Sequence, residues 1–426
     1  MDIHGVRRLS RWQSFRNGNR LSTNARLSLL MFLIYAAPGA VVPLFSLRLK
    51  QLGFSPTEIG WCCATQAIGS LIAPLIAGHI ADRWCAAEKC LALAAFAAAG
   101  SLWSLATLTT PAAVFAVSLA FWLVMAPSLT LCSSIGFSHL KNTSDQFGRI
   151  RMWGTVGWVA PGWLMGIWLA ESDLWSPWLN WLRPEDPKPE LADAFRFAAI
   201  LAIVFGLYAL TLPHTPPRES KGAAPLAAIR ALRGRAFLIY AICTFGVCVA
   251  LPFHTQVSPL LLEHLNVPAA RIPPLLTVAQ ASEILSLFAL PIVYSRIGAR
   301  ATMRLGLLAA VLTLTGLMLD SPLGLAIAGL SLYGFCISFY LVVGQMFLNQ
   351  RSTDGVRSSA QALHSSLCGL GLLVGNVLIG EVRSWFNEGF PPTFAVAAGL
   401  AVVLFVVFTV GFPRPDAPVS ATRARS

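Results

Sequence analysis

Twelve stretches of roughly 20 apolar residues follow one another along this chain, most separated by short polar connections. They lie at 26–49, 57–80, 89–108, 111–137, 148–170, 192–212, 236–262, 272–294, 301–319, 322–348, 358–383 and 391–412. In hydrocarbon a backbone must satisfy its own N–H and C=O groups, so each such stretch is expected to be a transmembrane helix. Only 12% of residues are charged, against about 25% in a soluble domain. Mean hydropathy is +0.66. The expected fold is an all-α membrane protein with twelve transmembrane helices in two six-helix bundles.

Two connections are longer, 171–191 and 213–235, and the second falls between spans six and seven. The expected organisation is an N-terminal segment at 1–25, one bundle at 26–212, a central loop at 213–235, a second bundle at 236–413 and a tail at 414–426. With both termini in the cytoplasm, 24 of the 31 Lys and Arg residues fall on the inside. The positive-inside rule selects that orientation. The chain is therefore expected to be a multi-pass protein of the cell inner membrane with both termini, the central loop and the tail cytoplasmic. Residues 1–25 are basic and polar, and the first apolar stretch is followed by eleven more, which argues against a cleaved signal peptide. The net charge of +12 reads as orientation and contact with anionic membrane lipids, not nucleic-acid binding. The nine cysteines fit no zinc spacing or disulfide framework, and no metal or other cofactor is expected.

The two halves repeat. Ala73-Pro74-Leu75-Ile76 matches Leu290-Pro291-Ile292-Val293 at a shift of 217, which also carries Arg83 onto Arg300 and Gln66 onto Glu283. Parallel six-helix repeats place a substrate site between the halves near mid-membrane. Gln66 and Glu283 are thus candidates for opposite walls of one cavity. An acid inside a span is costly and normally faces a wet cavity or the bundle interior, which singles out Glu283. Gln280 stands one turn before it. Arg151, Thr155 and Trp158 fall at i, i+4 and i+7, one helical face.

Gly78-His79-Ile80-Ala81-Asp82-Arg83, at the end of span two, resembles the 2–3 loop signature of the major facilitator superfamily. Gly78, Asp82 and Arg83 would then serve conformational gating. Within that superfamily the chain resembles the nucleoside:H+ symporter family over most of its length. The blocks that carry the resemblance are Thr57-Glu58-Ile59-Gly60, Ala81-Asp82-Arg83-Trp84, Pro127-Ser128-Leu129-Thr130-Leu131, Arg149-Ile150-Arg151-Met152-Trp153-Gly154-Thr155-Val156-Gly157-Trp158, Leu210-Thr211-Leu212-Pro213-His214, Gln280-Ala281-Ser282-Glu283 and Tyr333-Gly334.

The resemblance implies secondary active transport: proton-coupled nucleoside uptake by alternating access. It implies substrate contact at Arg151, Thr155, Trp158, Gln280, Glu283 and Tyr333. A guanidinium can donate to a base carbonyl and an indole can stack on a base. The two Glu283 oxygens suit a ribose diol. Three departures stand out. Ile337 replaces a frequent aromatic, and Ser338 stands where close relatives carry an acid linked to proton coupling. The amide pair of helix seven is replaced near Pro252-Phe253-His254-Thr255-Gln256. His254 and Gln256 join the substrate candidates, and Glu283 and His254 are the candidates for proton coupling. The rival solutes are a sugar or an aromatic acid. A membrane enzyme lacks any metal spacing, nucleophile–base pair or phosphate loop, and a non-transporting receptor would be favoured by a large soluble appendage. The expected partners are a small solute, protons and lipids, and the expected state is a monomer.

Overall fold

The computed structural model describes residues 23–80, 86–139, 143–170, 188–212, 234–320, 322–351 and 357–413. Among these every regular element is helical. The helices are α1 (Thr23–Gln51), α2 (Pro56–Ile80), α3 (Ala87–Thr107), α4 (Pro111–His139), α5 (Thr143–Ala170) and α6 (Ala192–Ala209). The second set begins with α7 (Arg235–His264). A continuous helical run, Ile272–Met318, follows, but Gly298 inside it takes φ 73°. That left-handed conformation is open to glycine without a Cβ penalty, and it divides the run into α8 (272–297) and α9 (299–318). Then come α10 (Leu323–Arg351), α11 (Arg357–Trp385) and α12 (Phe390–Gly411). Among the described residues twelve long helices result, each overlapping one apolar stretch.

Apolar side chains point both inward and outward, as a lipid solvent allows. Leu93, Leu285, Phe288 and Val410 are exposed although large and apolar. Exposed Trp61, Trp103, Trp163 and Trp385 sit near the ends of helices that lead to the connections 1–2, 3–4, 5–6 and 11–12. Tryptophans gather at such depths because the indole has an apolar body and a polar N–H. They mark the far face of the bundle, opposite the start of α1 and the end of α12.

Packing repeats with a period of six helices. In the first half α1 packs on α5 and α6, α2 on α4, and α3 on α4 and α6. In the second, α7 packs on α11 and α12. Gly334 brings α10 onto α8 at Glu283, and Arg300 of α9 donates to the Thr409 carbonyl of α12 at 2.7 Å. The halves meet where α2 lies on α11 and α5 on α8. Close approach in lipid needs small residues. A Cβ on Gly60 would stand 2.6 Å from the Asn376 carbonyl, and one on Gly380 2.8 Å from that of Pro56. On the other seam a Cβ on Gly166 would stand 2.6 Å from the Ala270 carbonyl.

Two irregularities were not read from the hydrophobic pattern. Helix α7 breaks after Thr255 and restarts as Ser258–His264. Pro259 cannot donate to the Thr255 carbonyl, so the ladder stops there. Helix α10 carries a π-helical stretch at Ile337–Val342, a departure often found at functional sites.

The far-face ends of the two halves are also tied by an ion pair between Lys50 of α1 and Glu263 of α7, at 2.6 Å. Both side chains are partly exposed, so the pair contributes about 0.2–1 kcal/mol. Lys50→Glu is expected to shift population toward an open far face, and Lys50→Glu with Glu263→Lys to restore it. Spin-label distances between the far ends of α1 and α7, in a cysteine-depleted background, measure this. An unchanged distance distribution in the single variant would refute it.

Candidate functional site

A cavity of about 290 Å³ lies between the halves, near the lower end of the size range of small-molecule sites. Gln66 of α2, Trp158 of α5, Gln256 of α7 and Tyr333 of α10 all line it. The structure therefore brings together four candidates from four helices and both halves. Ser46, Ser118, Thr255 and Asn376 add polar groups, and Phe45, Phe121, Trp122 and Phe195 add aromatic walls. Among the described residues that line it there is no Asp, Glu, Lys or Arg.

Trp158 reaches the cavity because α5 lies almost backbone to backbone on α1. A Cβ on Gly39 would run into the Trp158 backbone, and one on Gly157 into that of Phe32. Arg151 lies seven residues earlier on α5, about 10 Å nearer the termini side. Its guanidinium sits over the Tyr35 ring, 4.3 Å from the centroid, a cation–π contact. Arg151 and the half-buried Thr155 do not line this cavity.

On the opposite wall α8 and α10 are laced by hydroxyls. Gly334 N–H donates to Ser282 Oγ at 3.1 Å, Ser286 donates to Ser338 Oγ at 2.7 Å, and Ser338 donates to the Glu283 carbonyl at 3.3 Å. The serine at 338 thus acts as a strut between two helices. A Cβ on Gly334 would collide with the Glu283 backbone nitrogen and Ser282 Oγ, so the Tyr333-Gly334 pair has a steric basis. Glu283 is half-buried, and Arg151 lies across the seam within electrostatic reach of it. Gln280 Oε1 is buried without a hydrogen-bond partner. Neither Gln280 nor Glu283 lines the 290 Å³ cavity.

His254 is buried and lies behind Tyr333. Its ring meets the Tyr333 ring edge-on with centroids 3.7 Å apart, and its Nδ1 is 3.0 Å from Ser258 Oγ. The two rings share the wall of a much smaller space inside the second half. Asp82 and Arg83 lie outside the described residues, and Gly78 is placed only as backbone near the end of α2. Sequence reasoning passed over Ser46, Ser118, Asn376 and the aromatic residues around them. A lone serine or asparagine in a span has many structural uses, and only convergence on a common cavity separates these from the rest.

The family model described as Nucleoside H+ symporter matches residues 21–417. The chain belongs to the nucleoside H+ symporter family. YegT of Escherichia coli (strain K12) is 30% identical over 95% of this chain and 97% of its own length. The xanthosine permease of the same organism is 26% identical over 92% and 96%. Among solved structures, a mutant of the nucleoside transporter NupG superposes with TM-score 0.80 at 23% identity, over 92% of this chain and 100% of that one. A D-xylose–proton symporter superposes with TM-score 0.67 at 14% identity, over 91% and 97%. Those two likenesses establish a shared fold.

In this family member the α8–α10 contact offers a direct steric test. Gly334→Val is expected to lower stability by about 1–3 kcal/mol through overpacking and to displace Glu283 and Tyr333 together. Thermal unfolding in detergent and uptake in the same preparation measure both effects. A variant with wild-type melting and uptake would show that the helices can separate without consequence.

Proposed function

We propose that this chain imports nucleosides together with protons across the inner membrane, by alternating access of its two six-helix bundles. The observation that carries the reading is the cavity between the halves: aromatic walls, polar tips and no charged lining residue. A nucleoside is a neutral solute with a flat base and a hydroxylated sugar, and it can use both kinds of wall. An aromatic acid would need a cation for its carboxylate, and the nearest singled-out cation, Arg151, is held over Tyr35 away from the lining. A sugar alone would leave most of the aromatic wall without a flat partner. Family membership further favours the nucleoside over either rival.

In this reading the termini face the cytoplasm and the far face is periplasmic. The described seams of close glycine contact and the Lys50–Glu263 pair lie toward that face, which fits a state closed to the outside. Solute bound between the halves adds contacts to both, and rocking of one half on the other exposes it to the opposite side. Arg151 and Glu283 belong to different halves and interact electrostatically. A proton on Glu283 removes its negative charge and with it the attraction to Arg151, so proton binding biases how the halves sit. Gln280 and Glu283 bind the sugar end of the solute, and Trp158 and Tyr333 hold the ring. Thr155 supports the same wall, and His254 acts behind Tyr333 as a second proton acceptor. Ser338, which cannot take up a proton near neutral pH, leaves Glu283 as the principal carrier. The protein acts as a monomer, without metal or cofactor, and carries out no covalent step.

Radiolabelled uptake into vesicles, with a nucleoside panel beside a sugar panel and with or without a pH gradient, tests the reading. Concentrative nucleoside uptake that collapses with the pH gradient is expected. Accumulation of sugars alone, or accumulation indifferent to the gradient, would overturn it.

Two variants refine the assignment. Glu283→Gln is expected to abolish gradient-driven accumulation while inserting normally, and wild-type uptake by that variant would remove Glu283 from the mechanism. Arg151→Lys keeps the charge but loses the planar donor fork. The Arg151 guanidinium lies over the Tyr35 ring, and weakening that cation–π contact, worth about 0.5–2 kcal/mol, is expected to lower kcat/KM by about 2- to 30-fold. Normal transport by the lysine variant would reduce Arg151 to a helix-end anchor.

A further inference from the structure

Three residues that line the inter-half cavity carry a buried oxygen with no hydrogen-bond partner among the described residues: Ser46 Oγ, Ser118 Oγ and Gln256 Oε1. Their residues are 3%, 2% and 5% exposed. A buried polar group left unpaired pays the full cost of leaving water, so three beside one cavity point to something that pairs with them. They come from α1, α4 and α7, and therefore from both halves.

All three lie toward the far face. Ser46 is five residues from Gln51, Ser118 seven from Pro111 and Gln256 eight from His264, a depth of about 8–12 Å at 1.5 Å per residue. Tyr333 and Trp158 are ten and twelve residues from the far ends of their helices, about 15–18 Å deep. The cavity thus continues past the Trp158–Tyr333 level, and these three residues form a polar cap on its flank, beside a far end lined by Leu102 and Leu105. The walls beside that cap are flat and aromatic. Phe45 adjoins Ser46 and meets Phe195 edge-on at 6.0 Å. Phe121 and Trp122, one turn from Ser118, meet edge-on at 5.1 Å.

We propose that Ser46, Ser118 and Gln256 form a subsite that reads the hydrogen-bonding edge of the nucleobase. This rests on the nucleoside reading above and deepens it. A slot with aromatic walls and a hydrogen-bonding flank matches a planar ring whose donors and acceptors lie on its rim. A sugar ring carries hydroxyls on all sides and would press some of them against the aromatic walls, unpaired. Each serine hydroxyl can donate and accept, and the Gln256 oxygen accepts. The cap therefore suits an edge that presents adjacent donor and acceptor groups, such as the exocyclic amine or carbonyl of a base and the ring nitrogen beside it. The sugar then points toward Gln280 and Glu283.

The test compares nucleosides that differ only at that edge. Adenosine is set against purine riboside, and uridine against its analogue lacking the 4-oxo group. The 2′-deoxy nucleosides serve as the control for the sugar end. Whichever pair the wild-type protein transports is measured in Ser46→Ala, Ser118→Ala, the double variant and Gln256→Leu, with insertion checked by immunoblot and size-exclusion chromatography. For the complete base the KM is expected to rise about three- to tenfold per lost hydrogen bond, while the KM for the edge-deleted analogue stays unchanged. The penalty for 2′-deoxy substrates is also expected to stay unchanged. Wild-type KM values throughout would show that the serines hold only water, and would overturn the proposal. A loss that follows the 2′-hydroxyl instead would place the sugar at the cap and overturn it equally. Absence of nucleoside transport by the wild-type protein would refute the nucleoside reading itself, a separate result. If the alanine variants insert poorly, Ser46→Thr and Ser118→Thr retain the hydroxyl. They are then expected to keep the preference for the complete base, and its loss in well-inserted threonine variants would count against hydrogen bonding.

Discussion

In hydrocarbon no water satisfies a peptide group, so every spanning segment must close its own hydrogen bonds. The helices of this protein follow from that constraint. Once formed, they gain little from hydrophobic association, because lipid is as apolar as leucine, and close contact of backbones takes over. Gly39 against Trp158, Gly157 against Phe32, and Gly60 against Gly380 mark where a single added carbon would force helices apart. The positions of Trp158 and the cavity behind it depend on those contacts.

The same close packing arranges the site. The α8–α10 seam has room for neither a Cβ at 334 nor a water between the helices at that point, and serine hydroxyls satisfy one another across it. Gly334, and with it the backbone of Tyr333, is held against the backbone of Glu283 as a result. Tyr333 in turn separates two spaces, the inter-half cavity on one side and the small space beside His254 on the other. His254 therefore touches the back of Tyr333 and does not line the inter-half cavity.

Far-face closure combines strong and weak elements. The glycine seams are steric and insensitive to salt. The Lys50–Glu263 pair is partly exposed and so is open to screening. A transporter must break and remake one face in each cycle, so closure there has to be stable by only a few kcal/mol. Packing that can separate as a unit, supplemented by one accessible ion pair, suits that demand.

The number of helices, their apolar faces and the six-plus-six division were legible in the chain, because span length and hydropathy are local properties that lipid enforces directly. Arg151, Trp158, Gln280, Glu283 and Tyr333 stood out because polar or special side chains in spans are rare and the family motifs frame them. The π-helical stretch at Ile337–Val342 and the role of Ser338 as a strut were not legible, because each depends on how α10 meets a neighbouring helix, whereas the break before Ser258 has a local cause in Pro259 that the hydrophobic pattern alone does not show. Nor was the separation of the singled-out residues into those on the cavity wall, Gln66, Trp158, Gln256 and Tyr333, and those outside it, Arg151, Thr155, Gln280, Glu283 and His254. The sequence alone determined that this chain is a bundle of spanning helices built from two related halves. Only the tertiary structure decided that Ser46, Ser118 and Gln256 meet at one cavity, because the depth and rotation of each helix are set by packing between helices and by no pattern within any one of them.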